Sequence, residues 1–186
     1  FGTDSFVITV SDNHPTNPLT DTATVTVTVA NQNDAPTLDT IKDISILEDA
    51  SEQTRSLTGI TAGFNESQPL RVIATSSNAG LIANPVVSYT SPDSTGSIAF
   101  TPTADLNGTT TITVTVEDAG LDNDFNATAD NLTISQSFDV TVTPINDAPV
   151  LSSIGDISAS TNEEESVDIS LTGTDVDSTA LTYTVT

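Results

Sequence analysis

The sequence predicts an all-β protein made of β-sandwich modules in tandem, one complete module flanked by two partial ones. Three observations carry that expectation. β-Branched residues alternate with threonine along most of the chain, turn-forming clusters interrupt them at short intervals, and long segments recur at a nearly fixed separation.

The recurrence is explicit. GTDSFVITVSD at 2–12 returns as GTTTITVTVED at 108–118, an offset of 106. Asn33-Asp34-Ala35-Pro36 returns as Asn146-Asp147-Ala148-Pro149, an offset of 113, so the loop between these segments is seven residues longer in the second copy. LDTIKDIS at 38–45 returns as LSSIGDIS at 151–158, and SLTG at 56–59 returns at 170–173. The repeat is therefore about 110 residues long. It divides the chain into residues 1–35, the last strands of a preceding module, 36–148, a complete module, and 149–186, the first strands of a following one.

Each element follows from local pattern. Phe6, Ile8 and Val10 alternate with Val7 and Thr9, and Val25, Val27 and Val29 alternate with threonine, which predicts a hairpin at the start of the chain. In the complete module, strands are expected near 43–47, 53–60, 70–76, 85–90, 96–102, 109–117 and 135–143. SPDSTG, ADLNG and EDAGLDND supply turns between them. Threonine suits the outer face, being polar enough for water and β-branched enough for the pleat. Seven short strands in one repeat indicate a two-sheet sandwich of immunoglobulin type. No window carries a helical stripe.

Charge and composition narrow the function. Three basic residues (Lys42, Arg55, Arg71) stand against 26 acidic ones, a formal charge of -23. Such a surface repels nucleic acid and anionic lipid and attracts divalent cations. No cysteine is present, so disulfides and thiolate sites are excluded. No apolar run is long enough to insert in a membrane. With no methionine either, the chain is expected to be part of a longer polypeptide, its partners the adjacent modules. The only histidine, His14, lies in the proline-rich turn DNHPTNP, and no tryptophan is present to stack a sugar, so no enzyme is expected.

The linker Asn-Asp-x-Pro after a TVTV strand, Glu-Asp near the first strand and Asp-x-Asp after the second together resemble the bacterial cadherin-like or immunoglobulin-like tandem modules of large surface and secreted proteins. The resemblance implies calcium held at module junctions by acidic side chains. At the later junction it points to Glu48, with Asp49 beside it, Asp105, the linker pair Asn146 and Asp147, and Asp175 and Asp177 of TDVDS. Pro144 and Asn31 stand where the family pattern has a first linker acid. The earlier junction keeps Asn33, Asp34 and Asp118, but ITAGFNE follows SLTG there, so Asp-x-Asp is missing; Glu66 is nearby, with nothing in the spacing to demand it. The expectation is one well-supplied calcium junction near Asp147 and one weak or empty junction near Asp34.

The long loop at 117–131 is a second acidic candidate. Asp122, Asp124 and Asn126 alternate as in the opening of an EF-hand, but Ala127 and Thr133 occupy the positions of its glycine and closing glutamate, so a solvated excursion is expected. As a whole the resemblance implies an extracellular or cell-surface structural spacer, part of an adhesin, filament or sheath. The alternative is an adhesion module that binds polysaccharide or like modules on neighbouring cells, with homophilic or fibre-forming contacts.

Overall fold

The structure is a computed structural model and describes residues 1–155 and 168–186; part of the expected early strands of the third module, at 156–167, falls outside the described residues. Its strands are β1 (Gly2–Ser11), β2 (Thr20–Val29), β3 (Ile44–Leu47), β4 (Gln53–Leu57), β5 (Leu70–Ser76), β6 (Val86–Ser88), β7 (Gly96–Phe100), β8 (Gly108–Asp118), β9 (Thr133–Thr143), β10 (Val150–Leu151) and β11 (Gly173–Thr174).

The alternation in β8 shows how sequence becomes architecture. Thr110, Ile112, Val114, Val116 and Asp118 turn inward and are buried, while the threonines between them face out. On the outer face these threonines meet β9 in hydroxyl pairs, Thr113 Oγ1 with Ser137 Oγ at 2.9 Å and Thr115 Oγ1 with Ser135 Oγ at 2.8 Å. Cross-strand hydroxyl pairs of this kind fix the register without apolar surface.

Two sheets form the complete sandwich, ordered β3-β9-β8-β5 and β4-β7-β6. Their inner faces share one core. Phe138, Val140, Val114 and Ile46 of the first sheet meet Leu57, Ile98 and Phe100 of the second. The rings of Phe100 and Phe138 lie 6.4 Å apart across the layer, in the range of favourable tilted pairs. β1 and β2 form a separate antiparallel sheet with Phe6 opposite Val25, and β10 pairs with β11 over two residues.

Three details differ from the sequence reading. β3 pairs with β9 in parallel, Ile44 opposite Val140 and Leu47 opposite Thr143, a direction that the alternation did not indicate. First and last strands of the sandwich thus run the same way, so the chain enters it at one end and leaves at the other. β4 stops at Leu57 rather than 60, because Gly59 adopts φ +69 and turns the chain away. A Cβ there would sit inside the Asp39 carboxylate. β7 stops at Phe100, and Pro102, lacking a ladder donor, makes only an isolated bridge to Ile82.

Candidate metal centre

Parallel pairing of β3 and β9 brings the residues that follow them to one end of the sandwich. Glu48 N donates to Thr143 O (3.1 Å), and the Glu48 side chain, only 1% exposed, turns back so that Oε1 accepts Ile145 N at 2.8 Å. One buried carboxylate thus ties the end of the first strand to the linker leaving the last. Asp49 follows at the surface. Asp105 reaches the same place from the turn between β7 and β8, where its φ of 61 is a conformation that aspartate tolerates better than most residues.

The segment after the linker contributes from the other side. Asp147 N donates to Asp177 Oδ2 at 2.6 Å. Asp175 Oδ1 accepts from Asp177 N (2.9 Å) and Ser178 N (2.7 Å), so Asp175 shapes the turn that presents Asp177.

Five carboxylates converge as two triads. One oxygen each of Glu48, Asp147 and Asp177 lie within 4.8 Å of one another, and so do those of Asp49, Asp105 and Asp147. Asp147 belongs to both. Its Oδ2 is buried with no hydrogen-bond partner among the described residues. Burial, and then the charges of Asp49, Asp177, Asp105 and Glu48, push its carboxyl above the ordinary value. All donors are hard oxygens, without nitrogen or sulfur, and calcium takes six to eight such oxygens in a flexible shell, so the donor set fits that ion. Asp175 lies outside both triads; the Asn146 Nδ2 donates to the Asp147 carbonyl at 2.9 Å.

The junction at Asn33 is built differently. Asn33 is buried, and its Nδ2 donates to Asp118 Oδ1 (2.9 Å) and to Asp130 O (2.8 Å), while its Oδ1 accepts from Gln68 Nε2. Asp118 Oδ1 also accepts Gly120 N (2.9 Å) and Leu132 N (3.1 Å). Asp12 brackets the shorter loop of the first copy in the same way, accepting His14 N and Leu19 N. Asp34 N donates to Glu66 Oε2 at 2.9 Å. Glu66 therefore does for Asp34 what Asp177 does for Asp147. That equivalence was legible from downstream: Glu66 stands four residues before Leu70, and Asp177 four before Leu181. Phe64 then occupies the place of Asp175. Gln68 gave no signal, because a neutral amide does not stand out among acids.

The long loop is held by its own groups. Asp124 N donates to Asp122 Oδ1 (3.0 Å) and Asn126 N to Asp124 Oδ1 (2.9 Å), the usual work of turn-forming acids. Its Phe125 ring lies 4.8 Å below the Arg71 guanidinium, which also pairs with Glu117 at 2.7 Å. These acids form no carboxylate triad among the described residues. His14 is exposed in its turn, within 3.4 Å of Thr16 Oγ1.

No family of known sequences and no curated protein matches the chain. Several solved structures are similar to it, three of them as follows. The first holds domains 4 and 5 of the S-layer protein SbsC, at TM-score 0.36 and 19% identity over 67% of this chain and 53% of that one. The second holds domains 4–9 of surface layer protein SbsC, at 0.37 and 17% identity over 78% of this chain and 20% of that one. The third is titin domains Z1Z2 in complex with telethonin, at 0.38 and 12% identity over 65% and 54%. The chain thus spans about half the length of the first and third, and a fifth of the second. At such scores the likeness bears no weight; the architecture stands on the sheets and core of this chain. No helix of the described residues is long and apolar enough to cross a membrane.

Proposed function

We propose that this chain is a non-catalytic structural spacer from a long extracellular repeat protein of the bacterial cell surface, stiffened by calcium at the joint around Asp147. The observation that carries the reading is the sharing of Asp147 between two carboxylate triads drawn from both modules and their linker.

The geometry supplies a mechanism. Without a cation, five acids crowd the joint, and their mutual repulsion favours any motion that separates the modules. A divalent ion in either triad replaces that repulsion with attraction. Glu48, Asp147 and Asp177 would hold such an ion between the first strand of one module, the linker and the turn of the next. Glu48 anchors the near side through the Ile145 amide, and Asp175 orients the far side by holding the turn at Asp177. Calcium sites of extracellular modules bind at about 10⁻⁴–10⁻³ M, so such a joint is rigid outside a cell and loose where calcium is scarce. In this reading the adjacent modules of the same polypeptide are the partners, and the chain holds another part of the protein at a distance.

Small-angle scattering with and without calcium tests the proposal. Calcium should narrow the distance distribution of the wild type and leave the Asp147→Ala, Asp175→Ala, Asp177→Ala triple variant unchanged. An equal response in both proteins, or none in either, overturns it. Capture on polysaccharide, or concentration-dependent self-association, would replace the spacer with an adhesion module.

A further inference from the structure

β3 and β9 are the strands by which the chain enters and leaves the complete sandwich, and they run in parallel. Tension along the polypeptide pulls the Ile44 end of β3 one way and the Thr143 end of β9 the other. The strands must then slide past each other, and the evenly spaced bonds of a parallel ladder are strained together. The hairpin of β1 and β2 is the opposite case. Gly2 lies opposite Val29, so a pull on those two ends parts the ladder one pair at a time.

Side chains lengthen the β3–β9 ladder at both ends. Before β3, Asp43 Oδ1 accepts from Asp139 N at 2.8 Å. Beyond it, Glu48 N donates to Thr143 O at 3.1 Å, and Glu48 Oε1 accepts from Ile145 N at 2.8 Å. Thr143 Oγ1 adds a bond to Ile46 O at 3.0 Å. Two of these acceptors are carboxylates, and hydrogen bonds to charged groups are stronger than neutral ones. Glu48 is buried, which keeps water from replacing its bond as the strands begin to slip.

We infer that β3 and β9, bracketed by the side chains of Asp43 and Glu48, form a shear clamp through which the complete module carries tension along the chain. A stiff joint and a strong module are separate properties. The joint around Asp147 governs how neighbouring segments bend, whereas the clamp sets the pull at which the sandwich opens. Forced opening follows the unfolding rate rather than equilibrium stability, so the clamp acts even in a module of modest stability. It uses no metal. Upstream of β3 the chain is tied to the other sheet by Thr37 N to Thr61 O and Asp39 N to Thr58 O, both 3.0 Å. Thr40 lies between those bonds and β3, so a handle at Thr40 loads β3 directly.

Single-molecule force measurements on the whole chain in chelator test this. The chain has no cysteine, so an introduced pair fixes where the force enters. Thr40→Cys with Ala148→Cys pulls β3 and β9 in shear, and Ser51→Cys with Ala148→Cys pulls them apart from one end; all three positions are exposed. Opening in shear should need about twofold more force, because the bonds share the load instead of failing in turn. The main-chain groups of Asp139 and Thr143 face β3, so by alternation the Thr141 amide does too. Thr141→Pro removes that donor, and Asp43→Ala removes one bracket. Each should lower the shear force by about 1.5-fold while leaving the same-end force unchanged, with circular dichroism confirming the fold. Equal forces in the two geometries overturn the inference, and so does a folded Asp43→Ala protein that keeps the full shear force. With calcium absent throughout, these results leave the reading of the Asp147 joint to its own test.

Discussion

Calcium removal should soften this protein by an amount that the two triads at Asp147 define. An ion that binds only the folded state stabilises it by about 2.7 kcal/mol when present at 100 times its dissociation constant. With affinity near 10⁻⁴ M, that condition is met at about 10 mM calcium. A chain of 186 residues shifts its melting temperature by about 2–4 °C per kcal/mol, so one ion is worth about 5–11 °C and two about twice that. Calorimetry or circular dichroism is the assay, since the chain has no tryptophan. Because Asp147 belongs to both triads, Asp147→Asn should abolish the shift from this joint. Asp177→Asn and Asp105→Asn should each remove one part of it. Simple screening of the -23 charge must be separated from binding. The Debye length at 0.15 M salt is about 8 Å, so added sodium chloride screens distant charges but acts weakly between oxygens within 4.8 Å of one another. A calcium shift that vanishes in 0.15 M sodium chloride, or that Asp147→Asn retains in full, refutes the argument.

Four other outcomes follow from the same structure. The Asp147 carboxyl is held above its ordinary value of 3.8, chiefly by burial, so the folded state binds its proton more tightly than the unfolded chain does. Without calcium, its contribution to stability falls as pH rises from 3.8 through the raised value. With calcium the sign reverses, since the proton competes with the ion. Melting temperatures from pH 4 to 7, with chelator or with calcium and compared with Asp147→Asn, read both slopes. Phe138→Ala should cost about 3–5 kcal/mol in urea unfolding, since the ring is 2% exposed and stacked on Phe100. Phe64→Ala, at 80% exposure, should stay within about 0.5 kcal/mol. Gly59→Ala should cost more than about 1 kcal/mol, because φ +69 disfavours a side chain and the new Cβ collides with Asp39; Asp39→Gly in the same chain should recover part of the loss.

The strands were legible because a period of two is a direct consequence of backbone geometry, and Val-Thr alternation displays it in β8 and β9 almost without interruption. Strand ends were less so, since Gly59 and Pro102 act through φ and a missing donor rather than through hydrophobic pattern. Pairing direction was not legible at all: Ile44 opposite Val140 is a contact across 96 residues that no local pattern encodes.

The candidate site shows the same division. Glu48, Asp49, Asp105, Asp147 and Asp177 are positions that the resemblance to cadherin-like modules points to, and the structure brings those five together. Asp175 carries the same motif letter but spends its Oδ1 on local backbone, and Asn146 commits its Nδ2 there. Sequence type says which atoms a residue offers; the fold decides which of them stay free. At the other junction this reasoning runs in reverse. Gln68 has no charge to draw the eye, yet its Nε2 is committed to Asn33 and its Oε1 is buried without a hydrogen-bond partner among the described residues. A repeat that keeps its linker letters while replacing Asp175 by Phe64 and Asp177 by Glu66 has therefore changed the chemistry of the joint without moving its main chain contact. Asp34 N still finds a carboxylate, as Asp147 N does, so the acid that meets the linker amide is the common part of the two joints. The carboxylates gathered around it are what separate the proposed cation-bridged seam, with its two triads, from the hydrogen-bonded one.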